Sequence, residues 1–558
     1  MLPGQKRSSH SCRRNAEGRF KDGRKELATK ILISDPLAKE GMDILRRNKS
    51  FRVDEAFDLT ETDLAGRIKG YEAVIVRSGT RITDKVINAA DNLKIIGRAG
   101  VGLDNVDIAA ASKKGILVMN APTGNSISTA EHAFGLMMAL SRNIPNANQS
   151  VKSGRWERKK FMGIELYGKV LGIIGLGRIG SEFARRALSF GMRIIACDPF
   201  FSREKAKNMN VESVDLDTLL KRSDFITIHT PLTEETRHLL DDSAFRKMKK
   251  GVRLINAARG GIVDEKALTK YIRSGKVAGA ALDVFETSSK PPVDSPVVGC
   301  DKVITTPHLG SSTEEAQVNV AVDIARCVSD ALQGKGYRNA ANIPAVDMEF
   351  LEKTRPYIKL AEKLGTIQAQ LSGDPIESVK VEYAGEISDM DTDMITRALV
   401  KGIFDPVLEE NVNYVNALIV AKERGVRVIE KKTSQITDFA NIIRVDIKAG
   451  GRQRMIMGTL FSNKDPRVVM IDKFYIEAAP QGYMLVISNK DVPGIVGKVG
   501  TILGKAGINI AGINLGRDKK TGRAISLLNL DSEVPKKIMS RLKSIGDIND
   551  VKQVKAGI

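Results

Sequence analysis

Residues Val170 to Gly180 read VLGIIGLGRIG, a short apolar run that passes straight into Gly-x-Gly-x-x-Gly. That order predicts a strand, a tight turn and a helix start. Gly175 lets the chain reverse, Gly177 leaves no Cβ between the backbone and a pyrophosphate, and Gly180 lets the following helix pack closely on the sheet. The free N–H groups of the helix start then face the phosphates. Residues 193–198, RIIACD, predict the next strand, which ends in Asp198. An acidic residue there hydrogen-bonds the adenine ribose diol and repels a 2′-phosphate, so NAD is favoured over NADP. The plainer alternative is a turn-forming Asp before Pro199.

Outward from this turn the chain alternates strands and helices. Residues 31–34, 73–76, 94–97 and 116–119 are short apolar strands, and 170–174, 193–197, 225–229, 253–257, 278–284 and 303–306 form a second series of six. This pattern predicts a parallel α/β architecture with a six-stranded Rossmann-type sheet. Polar residues stand at the carboxyl ends of these strands: Thr230, Arg259, Asp283 and His308. Ligands of open α/β sheets bind along that edge.

The 558 residues exceed what one core supports, so several domains are expected. No apolar run is long enough to span a membrane, and the four cysteines lack CxxC or CxxH spacing, which excludes a disulfide framework and a structural metal site. A reducing cytoplasm is the expected compartment. The net charge of +20 is concentrated in part in residues 1–30, which hold nine Lys/Arg against three Asp/Glu. Residues 1–29 are expected to be a disordered basic tail. No RNP, KH or zinc-finger pattern accompanies the charge, so no nucleic acid is expected as a partner.

The runs NAPTGNSISTAEHAFGLMMALSRNIP (120–145), GRWERKKFMGIELYGKVLGIIGLGRIG, HTPLTEETRHLL, LINAARGGIVDEKAL, ALDVF and TTPHLGSSTEEAQ resemble, in that order, the D-2-hydroxyacid dehydrogenase family. The length of the C-terminal extension resembles the long-form members that act on 3-phosphoglycerate. The resemblance implies NAD-dependent oxidation of 3-phosphoglycerate to 3-phosphohydroxypyruvate, the first step toward serine, by a homodimer or homotetramer. A dehydrogenase for another 2-hydroxy acid and a non-enzymatic NAD-sensing regulator remain as alternatives. The implied architecture is a flavodoxin-like substrate domain (30–125 and 312–342) with a Rossmann-type NAD domain (126–311) inserted in it. An α/β intervening domain (343–482) and a ferredoxin-like ACT domain (483–558) follow. In residues 483–558 the β-α-β-β-α-β order and the DxPG and GINI runs carry the ACT resemblance. That resemblance implies a small amino-acid effector, serine, held by Asn489, Asp491 and Asn509; helix capping is the alternative.

Oxidation at C2 needs a base for the hydroxyl proton. Of five histidines, only His308 stands at a strand end followed shortly by Gly, and it matches the family's catalytic histidine. Arg259 matches the substrate arginine, whose planar fork suits a carboxylate. Arg77, Ser78 and Arg81, with the amides of Gly100, Val101 and Gly102, supply cations and N–H donors for a phosphate; Arg77 matches a substrate contact in relatives. Thr129, Arg178, Ile179, Thr230, Ala257 and Asp283 match cofactor-contacting positions. Arg452, Arg454 and Lys473 read as an exposed basic hairpin rather than a site. Trp156 is expected at a subunit contact. One departure stands out: relatives place a glutamate and a proline where this chain has Ser288 and Ser289, and Glu286 is the nearest carboxylate in sequence.

Overall fold

The structure, a computed structural model, describes residues 28–287, 291–344, 348–408, 411–435 and 439–556. The tail up to residue 27 and the pair Ser288 and Ser289 therefore lie outside the described residues. The first sheet is wholly parallel, with strands β1 (Thr29–Ile33), β2 (Phe51–Glu55), β3 (Ala73–Val76), β4 (Ile95–Arg98) and β5 (Leu117–Asn120) in the order β2-β1-β3-β4-β5. The second holds β6 (Val170–Ile174), β7 (Arg193–Cys197), β8 (Val211–Ser213), β9 (Phe225–Ile228), β10 (Val252–Asn256), β11 (Val277–Leu282) and β12 (Val303–Thr305). Its order is β12-β11-β10-β9-β6-β7-β8, again parallel throughout.

Apolar runs identify the central strands because both their faces are covered: β3 (AVIV) and β9 (FITI) are buried at every residue. The two strands the sequence reading missed are both edges. β2 reads FRVDE, half exposed and charged, and β8 has three residues, VES. The second sheet accordingly has seven strands rather than the expected six. Its order reverses at β6, which pairs with β7 on one side and β9 on the other. A crevice opens at such a reversal, outside the carboxyl ends of the strands.

The long helix Ser126–Arg142 leaves the first sheet and packs on the helix Arg178–Ser189 of the second. The helix Glu314–Leu332, capped by the Thr313 hydroxyl, returns to the first. Its Ile324 and Val328 lie over Gly97 of β4. The chain thus crosses to the second sheet and back.

A third, mixed sheet carries β13 (Ile376–Gly385), β14 (Arg427–Thr433), β15 (Asn441–Ala449), β16 (Arg452–Phe461), β17 (Asp465–Ile471) and β18 (Phe474–Ala478), in the order β14-β13-β15-β16-β17-β18. The fourth is antiparallel: β19 (Tyr483–Lys490), β20 (Ile510–Asp518), β21 (Arg523–Leu530) and β22 (Ile548–Lys555), ordered β20-β21-β19-β22. The first, third and fourth sheets share one continuous core, in which Leu360, Leu364 and Ile367 of the helix Met348–Ser372 are fully buried. The second sheet has separate clusters of its own. Polar ties reinforce the junctions. Lys363 Nζ donates to the carbonyls of Pro480 (2.8 Å) and Ala556 (3.3 Å), Gln370 exchanges two bonds with the Lys555 backbone, and Asn413 Nδ2 donates to the Gly115 carbonyl at 2.8 Å.

Candidate active site

Parallel register sets the site. Cys197, Ile174, Ile228, Asn256, Leu282 and Thr305 are successive partners across the second sheet. The residues just after them, from Asp198 through Gly175, Ala257 and Asp283 to Thr306, therefore line one carboxyl edge. Gly175 has φ +89, a conformation that favours glycine, and a Cβ on Gly180 would sit 2.1 Å from the Gly175 carbonyl oxygen. Gly177 has no such constraint: a Cβ there would meet nothing within 4 Å. The open face is where a pyrophosphate approaches. Asp198 holds the turn through Oδ2, which accepts from Leu176 N–H at 2.7 Å, while Oδ1 accepts from Phe200 N–H at 2.8 Å. These groups fit a dinucleotide. Arg178 is exposed and reaches the Pro122 carbonyl (3.3 Å), Ile179 and Thr230 are half-buried beside the turn, and Ala257 is buried.

The first sheet offers its own carboxyl edge opposite. Asp35 organises the loop after β3, its Oδ2 accepting from Arg77 N–H (2.5 Å) and Thr80 N–H (3.1 Å). Asn105 Nδ2 donates to the carbonyls of Arg77 and Thr80, both at 2.6 Å, tying that loop to the one after β4. Arg77 is half-buried; Ser78 and Arg81 are exposed. The N–H of Gly100 donates to the Arg98 carbonyl at 2.9 Å. Gly100 is thereby removed from the expected donor set, leaving the amides of Val101 and Gly102.

Arg98 is the residue sequence reasoning missed, although the run GRAGVGLDN contained it. Its Nε is buried without a hydrogen-bond partner among the described residues. Burial, then the like charges of Arg259 and Arg77, push its guanidinium down to about 10, so it stays charged at neutral pH. Arg259 comes from the second sheet. Asn256 shapes its turn, accepting from Ala258 N–H (3.0 Å) and donating to the Arg259 carbonyl (2.9 Å). The Arg259 guanidinium lies against Gly102, where a Cβ would sit 2.0 Å from Nη2, and its Nε pairs with Asp104 at 3.0 Å. Two guanidinium groups from two sheets thus flank one glycine loop.

His308 is exposed, follows β12 at the same carboxyl edge of the second sheet, and has φ +60. Asp283, one of the expected cofactor-contacting residues, has no exposed side-chain surface. Its carboxylate accepts from Leu309 N–H (2.8 Å), Gly310 N–H (2.9 Å) and Thr306 Oγ1 (2.5 Å), the residues around His308. Thr129 is likewise committed, its hydroxyl donating to the Gly310 carbonyl at 3.1 Å. Glu286, the nearest carboxylate in sequence to Ser288, is bound to a different histidine: its Oε1 lies 2.7 Å from His238 Nε2. The Glu286 N–H donates to buried Glu265, which also accepts from Ser295. His229 is kept neutral, burial pushing its pKa down to about 3.

The three effector candidates do not converge within the chain. Asn489 pairs with Ala524 across β19 and β21, whereas Asn509 precedes Ile510, which pairs with Leu530. Antiparallel register thus puts them about 20 Å apart, at opposite ends of the sheet. Asn489 is buried against Ser526 (3.3 Å), Asp491 is paired with Arg517 (2.9 Å), and Asn509 Nδ2 donates to Asp531 at 2.7 Å. The basic hairpin residues Arg454 and Lys473 are spent on Asp472 (3.1 Å) and Asp518 (2.9 Å). Trp156 is 78% exposed.

Comparisons with known proteins agree with this layout. Residues 134–310 match the D-isomer specific 2-hydroxyacid dehydrogenase NAD binding domain, 353–472 the D-3-phosphoglycerate dehydrogenase intervening domain, and 483–547 the ACT domain. The D-3-phosphoglycerate dehydrogenase of Archaeoglobus fulgidus is 44% identical over 527 residues, 94% of this chain and 99% of its own. That of Bacillus subtilis is 43% identical over 525 residues, with the same shares of both chains. Among solved structures, apo D-lactate dehydrogenase from Escherichia coli superposes with a TM-score of 0.50 at 31% identity, covering 56% of this chain and 99% of its own.

Two substitutions test the geometry. Asp198→Ala removes the acceptor expected to meet the ribose diol: the unmutated protein is expected to prefer NAD over NADP at least about tenfold, and the variant to lose most of that preference, since a charge-assisted hydrogen bond carries about 1.5–3 kcal/mol. Comparative kinetics with both cofactors check this. Asp104→Asn frees Arg259 from an exposed ion pair of small strength, so the KM for the acid substrate is expected to fall by up to about fivefold with kcat unchanged. Steady-state kinetics read both constants.

Proposed function

The chain belongs to the D-3-phosphoglycerate dehydrogenases of the D-isomer specific 2-hydroxyacid dehydrogenase family, and we propose how its cleft oxidises 3-phosphoglycerate to 3-phosphohydroxypyruvate with NAD. The observation that carries the residue assignment is the pair of guanidinium groups, Arg98 and Arg259, on one glycine loop. The substrate is a small dianionic phosphate with a carboxylate at its other end, and the cleft offers a cation for each. Arg259 exchanges Asp104 for the substrate carboxylate and polarises the C2 oxygen. Arg98 and Arg77, with the amides of Val101 and Gly102, face the phosphate. His308 takes the proton of the C2 hydroxyl. NAD, when bound, accepts the hydride from C2. Approach of the two sheet edges excludes water from that transfer.

A clamp for phosphate predicts selectivity. The unmutated enzyme is expected to turn over 3-phosphoglycerate with a kcat/KM at least tenfold above those for glycerate, lactate and 2-hydroxyglutarate. Arg98→Ala is expected to lower kcat/KM for 3-phosphoglycerate by roughly 10- to 150-fold, a charge-assisted bond's range, while glycerate is little affected. Equal losses on both substrates contradict the phosphate assignment.

Trp156, Met162 and Tyr167 each leave a large apolar side chain exposed, more than 75% accessible, and exposed apolar surface of this kind suits a second copy of the chain. A cytoplasmic homo-oligomer fits this surface and the three free cysteines among the described residues. The amino-acid effector belongs to the same reading: since Asn489 and Asp491 lie about 20 Å from Asn509, one small ligand meets all three only between copies. Calorimetry with the full chain and L-serine is expected to show binding that both Asp491→Ala and Asn509→Ala weaken. No heat for any of the twenty amino acids counts against an effector.

A further inference from the structure

The turn that carries His308 is folded around a carboxylate, and that carboxylate has a second histidine. Thr306 Oγ1 and Leu309 N–H donate to Asp283 Oδ1 at 2.5 and 2.8 Å, and Gly310 N–H donates to Oδ2 at 2.9 Å. His308, between these donors, is held at φ +60, a backbone region that non-glycine residues keep only where the surroundings fix it. His132 reaches the same point from the helix Ser126–Arg142, with Nε2 3.2 Å from both Asp283 Oδ1 and Thr306 Oγ1.

The proton inventory at this junction has one solution. The ionised carboxylate only accepts, and the Thr306 hydroxyl has already given its hydrogen to Asp283, so its oxygen accepts from elsewhere. His132 Nε2 must therefore carry a hydrogen, shared between the two. Desolvation raises the pKa of buried Asp283, but the bonds from His132, Thr306 and Leu309 outweigh it and hold the carboxyl below its ordinary value.

We propose that His132 is a positioning residue for His308: its Nε2–H fixes the Asp283 carboxylate and the Thr306 hydroxyl, and these in turn fix the turn from which His308 reaches the substrate. His132 also ties the turn to the helix that joins the two sheets, so the base is set relative to both walls of the cleft. The inference rests on His308 as the general base. Chemically, the role requires only an N–H directed at Asp283 from this position on the helix.

The test uses the full chain with NAD and 3-phosphoglycerate. His132→Leu removes the N–H; His132→Gln retains one; Thr306→Val removes the bridging hydroxyl. His132→Leu is expected to lower kcat by roughly 10- to 100-fold, as small misplacements of a catalytic group do. KM and the Kd for NAD should stay within about twofold, and the acidic limb of the kcat–pH profile should shift. His132→Gln should recover kcat to within about fivefold. Should His132→Leu fail to fold, Thr306→Val is expected to show the same kcat loss and limb shift. A kcat within about twofold of the unmutated enzyme in the folded variants overturns the proposal, as does an equal loss in the Leu and Gln variants with an unmoved acidic limb. Absence of turnover in the unmutated enzyme contradicts the 3-phosphoglycerate reading instead, and a His308→Asn variant that keeps kcat within about twofold contradicts the His308 reading.

Discussion

A carboxylate without exposed surface has to be met by donors, and in this chain the donors of Asp283 come from the residues on both sides of His308. Burial alone would favour a neutral acid; the N–H and O–H groups of His132, Thr306, Leu309 and Gly310 tip the balance to the anion. The consequence is geometric. A turn closed by three bonds to one carboxylate has little freedom, so the backbone at His308 is fixed before any ligand arrives.

Between the two walls like charges are brought together. Arg98 and Arg259 repel across the Gly102 loop, and Asp104 is the single carboxylate that the described structure sets against Arg259. The loop between them carries no side chain at Gly100 or Gly102, which lets the two guanidinium groups come close. On the proposed reading the first sheet contributes the phosphate end and the second the reactive end.

The C-terminal half shares a core with the first sheet but none with the second. Its buried helix Met348–Ser372 joins the third and fourth sheets and reaches the cluster that also contains Ile31 and Ile75. The fourth sheet thus shares packing with the first sheet, the wall that bears Arg77 and Arg98.

Much of this was legible in the order of residues. The glycine turn, the acidic strand end and the apolar runs determined two parallel sheets, because strands buried on both faces have to be apolar throughout, and the motif order placed Arg259 and His308 on one edge. Edge strands β2 and β8 escaped, since an edge has one exposed side and tolerates charge. Sequence offered no sign that Asp283 faces inward, that Glu286 is taken by His238, that His132 meets Asp283 and Thr306 beside the His308 turn, or that antiparallel pairing separates Asn489 from Asn509. Each of these is a distance between residues far apart along the chain, and such distances are set by register and packing. Residue type determined what chemistry the chain could hold; tertiary structure alone decided which of those groups meet, because a side chain's charge and reach are local properties while its neighbours are not.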